Sequence, residues 1–189
     1  WEEDRGKNYE YNGITWERIF PAIDRVAHGG LVIIDVIHNE VHSEHLWSAP
    51  FYETLASGSA SVLLLETPGS ATATIHFIAS FSSSGAGVLI FTEAPNATVG
   101  TVVTSYNHYR PRYGTAELSV THSGAVTTTG TIFEPIAIGT AAPPIRIGGA
   151  SGLHDEWVLD HSARYLLQFV CSAASIVAWN PLWYEEEEY

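Results

Sequence analysis

The sequence predicts an all-β protein, an antiparallel β-sandwich of jelly-roll-like form with an extended N-terminal arm. Three observations carry that expectation. Turn signals recur about every ten residues through the middle of the chain, at Pro68-Gly69, Ser84-Gly85, Pro95-Asn96, Tyr113-Gly114 and Ser123-Gly124, separated by runs rich in Val, Ile, Thr, Ser and Ala. Within them Ala73 to Phe81 alternates, with Ile75, Phe77, Ala79 and Phe81 on one face and Thr74, His76, Ile78 and Ser80 on the other, the pattern of a half-buried antiparallel strand. Near the C-terminus, two β-type runs, Arg164 to Cys171 and Ser175 to Tyr184, are joined by Ser172, Ala173 and Ala174 and read as a terminal hairpin closing the sandwich.

Taken in order, residues 1–56 form the arm and residues 57–189 the sandwich domain. The arm is irregular and rich in aromatics (Tyr9, Tyr11, Trp16, Phe20, Trp47, Phe51, Tyr52), with one strand at Leu31 to His42 and a short helical turn at Trp16 to Val26. Its aromatics resemble interface anchors more than a self-sufficient core, so the arm is expected to order on a partner. The Val, Ile and Thr-rich strands from Ser59 to about Phe133 follow. Pro135 to Gly152 is too punctuated for regular structure and too apolar for a free linker, so it is expected to pack on something or to carry function. In the final third, Trp157, Tyr165, Leu167, Phe169 and Trp183 are expected in the core or at its rim.

With 189 residues and 46% hydrophobic content the chain can bury one substantial core. The 21 acidic residues against 8 Lys and Arg give a formal net charge of −13, which leaves no basic face for phosphate neutralisation and argues against direct nucleic-acid binding. Acid gathers at the ends, in Glu2, Glu3 and Asp4 and in Glu185 to Glu188, and reads as solvated tails. The lone Cys171 excludes an intrachain disulfide, and its apolar surroundings predict a packed thiol. The sequence has no apolar run of the roughly 18 to 20 residues a helical span needs and no signal-peptide pattern, so a soluble chain without membrane partners is expected. It opens on Trp1 and contains no Met, from which we expect either a removed start or further chain before it.

Chemistry-bearing motifs are sparse. His38, His42 and His45 fall at H-x3-H-x2-H spacing with Glu40 and Glu44 between them, and on a strand His38, Glu40 and His42 share a face. A zincin base would directly follow the first His, whereas Glu40 is one residue late, and no His-x-His pair satisfies a cupin signature. The preferred reading is a polar strand face packed against a neighbouring subunit, with no metal and no cofactor. There is no Gly-x-Ser-x-Gly elbow and nothing selects a carboxylate pair, so no catalytic residue is assigned and no enzyme is expected. Asn96-Ala97-Thr98 matches a glycosylation acceptor but reads as the turn after Pro95. Tyr106, His108, Tyr109 and Arg110 form an aromatic, polar tip after a short strand, suited to sugar stacking or, preferred here, to a protein interface. The interface set is therefore Trp16, Phe20, His38, His42, Trp47, Tyr106, His108, Tyr109 and Arg110.

Three segments carry a family resemblance. The first runs from Ile37 through His38 and His42, followed by Leu63-Leu64-Leu65 and Thr67-Pro68; the second is Gly100 to Arg110; the third comprises Glu156-Trp157-Val158-Leu159, Tyr165-Leu166-Leu167 and Trp183-Tyr184-Glu185. Together they resemble the β-sandwich capsid accessory proteins of tailed bacteriophages, described as decoration or head-fibre-like virion proteins. Asp160-His161-Ser162-Ala163 stands where that family has Lys, Asn and Thr, and an acidic tail replaces its terminal His. The resemblance implies a non-enzymatic structural protein, made in the bacterial host cytoplasm, that binds the major capsid protein on the virion surface as a homo-oligomer, commonly a trimer. The alternatives are a tail or receptor-binding subunit and a carbohydrate-binding module.

Overall fold

The computed structural model describes residues 9–11, 16–18, 23–25, 31–33, 41, 43–69, 73–109, 114–139, 145–147 and 156–186. Apart from the helical Val41, every element among them is a β-strand, and every pairing is antiparallel. The strands are β1 (Tyr9–Tyr11), β2 (Trp16–Arg18), β3 (Ile23–Arg25), β4 (Leu31–Ile33), β5 (Leu46–Ser48), β6 (Phe51–Leu55), β7 (Ala60–Glu66), β8 (Thr74–Ser83), β9 (Gly87–Glu93) and β10 (Asn96–Ala97). There follow β11 (Thr101–Val102), β12 (Tyr106–Asn107), β13 (Ser119–His122), β14 (Val126–Thr128), β15 (Thr131–Ile138), β16 (Ile145–Ile147), β17 (Trp157–Leu159), β18 (Arg164–Cys171) and β19 (Ser175–Glu186).

Two sheets face each other. One is ordered β11-β13-β7-β18-β9-β15; the other is ordered β12-β5-β19-β8-β16, with β6 also on β19 and β17 also on β8. Their inner rows meet in one cluster: Leu63, Leu65, Leu89, Phe91, Leu167 and Phe169 from the first sheet against Ile75, Phe77, Phe81, Trp179 and Trp183 from the second. The rings of Phe77 and Phe91 lie 5.9 Å apart and those of Phe81 and Phe169 4.8 Å apart, so the layers interlock through aromatics. Burying each such ring contributes about 1.5–3 kcal/mol. The alternation expected from Ala73 to Phe81 is present, with every second residue of β8 buried. Tyr165, Leu167, Phe169 and Trp183 are buried and Trp157 packs at the rim. The run Val62 to Leu65 is buried on both faces: Leu63 and Leu65 enter the core, while Val62 and Leu64 join Leu166, Ala97 and Val126 beneath the β10–β14 pair.

Several expectations need correction. The stretch expected to hold a helical turn contains β2 and β3 instead; β2 pairs with β1, and β3 with β4. Of the strand expected over Leu31 to His42, Leu31–Ile33 is observed, Val41 is helical instead, and residues 34–40 and 42 lie outside the described residues. The sandwich starts before residue 57, because β5 and β6 are integral to the seven-stranded sheet. Short strands at sheet edges carry weak periodicity, which is why the arm seemed to extend to Ala56. The segment read as an irregular connection begins inside β15 and contains β16. Pro135 is tolerated because β15 is an edge strand, where a missing N–H removes no ladder bond on the open side.

The first C-terminal run has the expected limits and the second continues two residues past Tyr184 to Glu186, but they do not form a hairpin. β18 pairs with β7 and β9, whereas β19 pairs with β5, β6 and β8, so residues 172–174 carry the chain from one layer to the other. The same crossing occurs at 84–86 and at 56–59, and the three links fasten to one another. Ser172 N donates to Ala86 O (2.9 Å), Ser84 N to Ile176 O (2.9 Å), and Gly58 N to Cys171 O (3.0 Å). Small residues are required there, since a Cβ on Gly87 would lie 2.3 Å from Val170 O and 2.5 Å from the Phe169 ring.

Pro181 sits within β19, a central strand. Its carbonyl accepts from Ala49 N at the break between β5 and β6. A residue in an antiparallel strand directs N–H and C=O to the same side, so the missing donor faces that break and no ladder bond is lost.

Candidate interaction surfaces

The polar tip around residue 106 is docked onto an edge of the sandwich. β12 pairs with β5, placing Tyr106 opposite Ser48 and Asn107 opposite Trp47. The buried Asn107 organises it: its amide nitrogen donates to Glu44 O, and its carbonyl oxygen accepts from Tyr109 N at 2.7 Å. His108 donates its backbone N–H to Leu46 O, and its ring nitrogen Nε2 lies 3.0 Å from Ser48 Oγ. Tyr106 and His108 remain exposed, and Tyr109 is half-buried.

Trp47, expected among the interface anchors, is a core residue, 6% exposed and packed in the inter-sheet cluster. Trp16 lies on β2. Phe20, His38, His42 and Arg110 lie outside the described residues. Among the described residues, no group of three His, Cys, Asp or Glu is arranged to hold a metal ion.

Of the acidic run expected as a solvated tail, Glu186 is exposed, Glu187 and Glu188 lie outside the described residues, and Glu185 departs from the expectation. Glu185 is buried, and its Oε1 accepts from Glu117 N (2.8 Å), Leu118 N (3.1 Å) and Trp183 Nε1 (2.9 Å). Burial pushes its carboxyl above the usual carboxylate range, opposed by the Trp183 hydrogen bond and the two backbone donors. Glu186, the last residue of β19, contacts His76 Nε2 at 3.2 Å, while His76 Nδ1 meets Glu156 Oε1 at 2.8 Å. Tyr184 stacks on the His76 ring at 4.4 Å and donates its hydroxyl to Glu156 (2.7 Å). Sequence reading missed this cluster because His76 is 80 or more positions from Glu156, Tyr184 and Glu186; only the register of β8, β17 and β19 brings them together.

Outside the core, the outer face of the six-stranded sheet carries three adjacent uncharged rows, bordered by the paired Glu66 and Arg164 (2.9 Å) in the row beyond them. One row across it is Ala60, Val170, Val88 and Ala137; the next is Val62, Gln168, Ile90 and Pro135; the third is Thr121, Leu64, Leu166, Thr92 and Ile132. The β10–β14 pair covers part of the third row, but Val88 (50% exposed), Val170 (43%) and Ile132 (49%) remain open to solvent. None of these thirteen side chains ionises.

No protein-family model matches the chain. Searches of curated proteins and of solved structures likewise find no match.

Proposed function

We propose that the chain is a non-enzymatic structural subunit that self-associates, a capsid-surface decoration or head-fibre-like protein of a tailed bacteriophage, with a trimer as its first expected state. The observation that supports this most is the patch of three uncharged rows on the outer face of the six-stranded sheet, beside which Glu66 and Arg164 neutralise one another. In a chain of net charge −13 it is a surface that a second copy can cover without bringing carboxylates together or stripping water from a charge. The strand order supports a jelly-roll reading. Counting β5 with β6 and β16 with β17, the major strands order as β5/β6-β19-β8-β16/β17 in one layer and β7-β18-β9-β15 in the other, with consecutive strands repeatedly changing layer. The bacteriophage assignment rests on the sequence resemblance, whose third segment supplies Trp183, Tyr165 and the buried Glu185.

Light scattering of the whole chain tests self-association. An oligomer is expected that dissociates in Val88→Asp and Val170→Asp, and a clean monomer of 20.6 kDa at micromolar concentration overturns it. Imaging capsids with and without the protein tests the virion role; density on the shell surface is expected, and density confined to the tail selects the receptor-binding alternative.

A further inference from the structure

We propose that the outer face of the seven-stranded sheet, on the opposite side of the sandwich, binds a neutral oligosaccharide laid along β19 between Tyr52 and Tyr106. The strand register sets out the surface. Ala178 lies between Tyr52 on β6 and Ser82 on β8; Asn180 lies beside Ser80; Leu182 lies between Ser48 and Ile78, with Tyr106 beyond Ser48. Tyr52 is 77% exposed, the most open large apolar side chain among the described residues, and Ile176 next to it is 57% exposed. The four residue steps from Ala178 to Leu182 span about 13 Å, enough for a short run of sugar rings.

The chemistry along that line matches a sugar. The C–H faces of a pyranose stack on a tyrosine ring, and its hydroxyls pair with amide and hydroxyl groups such as those of Asn180, Ser80 and Ser82. The tyrosine backbone is already fixed in a ladder, so binding orders few rotamers. Electrostatics selects the neutral class. Tyr52, Thr54, Ile176, Ala178, Asn180, Ser80 and Ser82 carry no charge at neutral pH, Arg146 lies opposite Ser80 at the β16 margin of the strip, and the net charge of −13 opposes an anionic polymer. Single-stranded nucleic acid also stacks on aromatics, but it needs a groove lined by several cations, and among the described residues the register gives this face one Lys or Arg, Arg146. The inference does not depend on self-association, which uses the other sheet.

The test is titration of the whole chain with maltohexaose, cellohexaose, mannohexaose and chitohexaose, and with an alginate hexamer as the anionic control, followed by NMR and calorimetry. Binding of at least one neutral hexamer is expected. It should weaken at least tenfold in Tyr52→Ala and measurably in Asn180→Ala, and survive in Tyr52→Trp. Thermal melts of the variants check folding, and both positions are exposed. The proposal is overturned if no neutral hexamer binds at millimolar concentration, if Tyr52→Ala and Asn180→Ala bind like the parent, or if the alginate hexamer binds as tightly as the neutral ones. Light scattering on the same variants separates this result from the oligomeric state.

Discussion

Glu185 shows how one side chain joins local sequence to long-range structure. Its three accepted hydrogen bonds tie the segment leading into β13 to the end of β19. Glu185→Ala leaves the Trp183 indole and two backbone donors without that acceptor, and a loss of about 2–4 kcal/mol in urea unfolding is expected. Glu185→Gln keeps an acceptor oxygen and removes the charge. Because burial raises the folded-state pKa above the ordinary value of 4.5, the stability contributed by this carboxyl is fully present below the unfolded pKa and is lost as pH rises through the folded one. Glu185→Gln is therefore expected to gain on the parent at neutral pH, and the gain should shrink as pH falls through the raised folded-state pKa and level off below the ordinary value of 4.5; pH-resolved unfolding curves check this. Trp183→Ala, which empties a fully buried site, should cost about 3–5 kcal/mol, and a melt like the parent's would contradict the core assignment.

At the scale of elements, the layer crossings govern the fold more than the individual strands do. The link at 172–174 lies between those at 56–59 and 84–86, and Cys171 is enclosed there with Sγ 3.0 Å from Ala56 O and 3.2 Å from Ser59 O. Its thiol is expected to resist an aromatic disulfide reagent until the protein unfolds, so labelling kinetics should track global unfolding. Gly87→Ala forces a Cβ against a neighbouring carbonyl that is held in the ladder, and a loss of about 1–3 kcal/mol in chemical denaturation is expected. The tight small-residue link after Cys171 looked like a hairpin turn in the sequence because a crossing between layers and a turn within one sheet use the same residue types. Only the partners of β18 and β19 distinguish them.

For the whole molecule, the boundary of the sandwich is the most direct test. β1 to β4 pair only among themselves, whereas β5 and β6 border β19. Removing residues 1–33 should leave a cooperative melt within a few degrees of the parent. Removing residues 1–56 strips two strands from the seven-stranded sheet, exposes Trp179 and Trp183, and should abolish cooperative unfolding; circular dichroism melts of both truncations decide this. If the shorter truncation also fails to fold, the N-terminal hairpins belong to the folding unit.

The sequence by itself determined the β class, the inward positions of β8 and the burial of Tyr165, Leu167, Phe169 and Trp183, because a strand's two-residue period and the cost of exposing large apolar groups act locally. It also marked the turns at Pro68-Gly69, Ser84-Gly85 and Ser123-Gly124, where backbone preference is a property of the residues themselves. Tertiary structure decided which sheet each strand joined, that Trp47 is core and that Glu185 is buried. It also placed His76 between Glu156 and Glu186, and set three uncharged rows side by side on the outer face of the six-stranded sheet. Each of these depends on pairing between segments distant in the chain, and identical local patterns are compatible with either layer until register and neighbours are set.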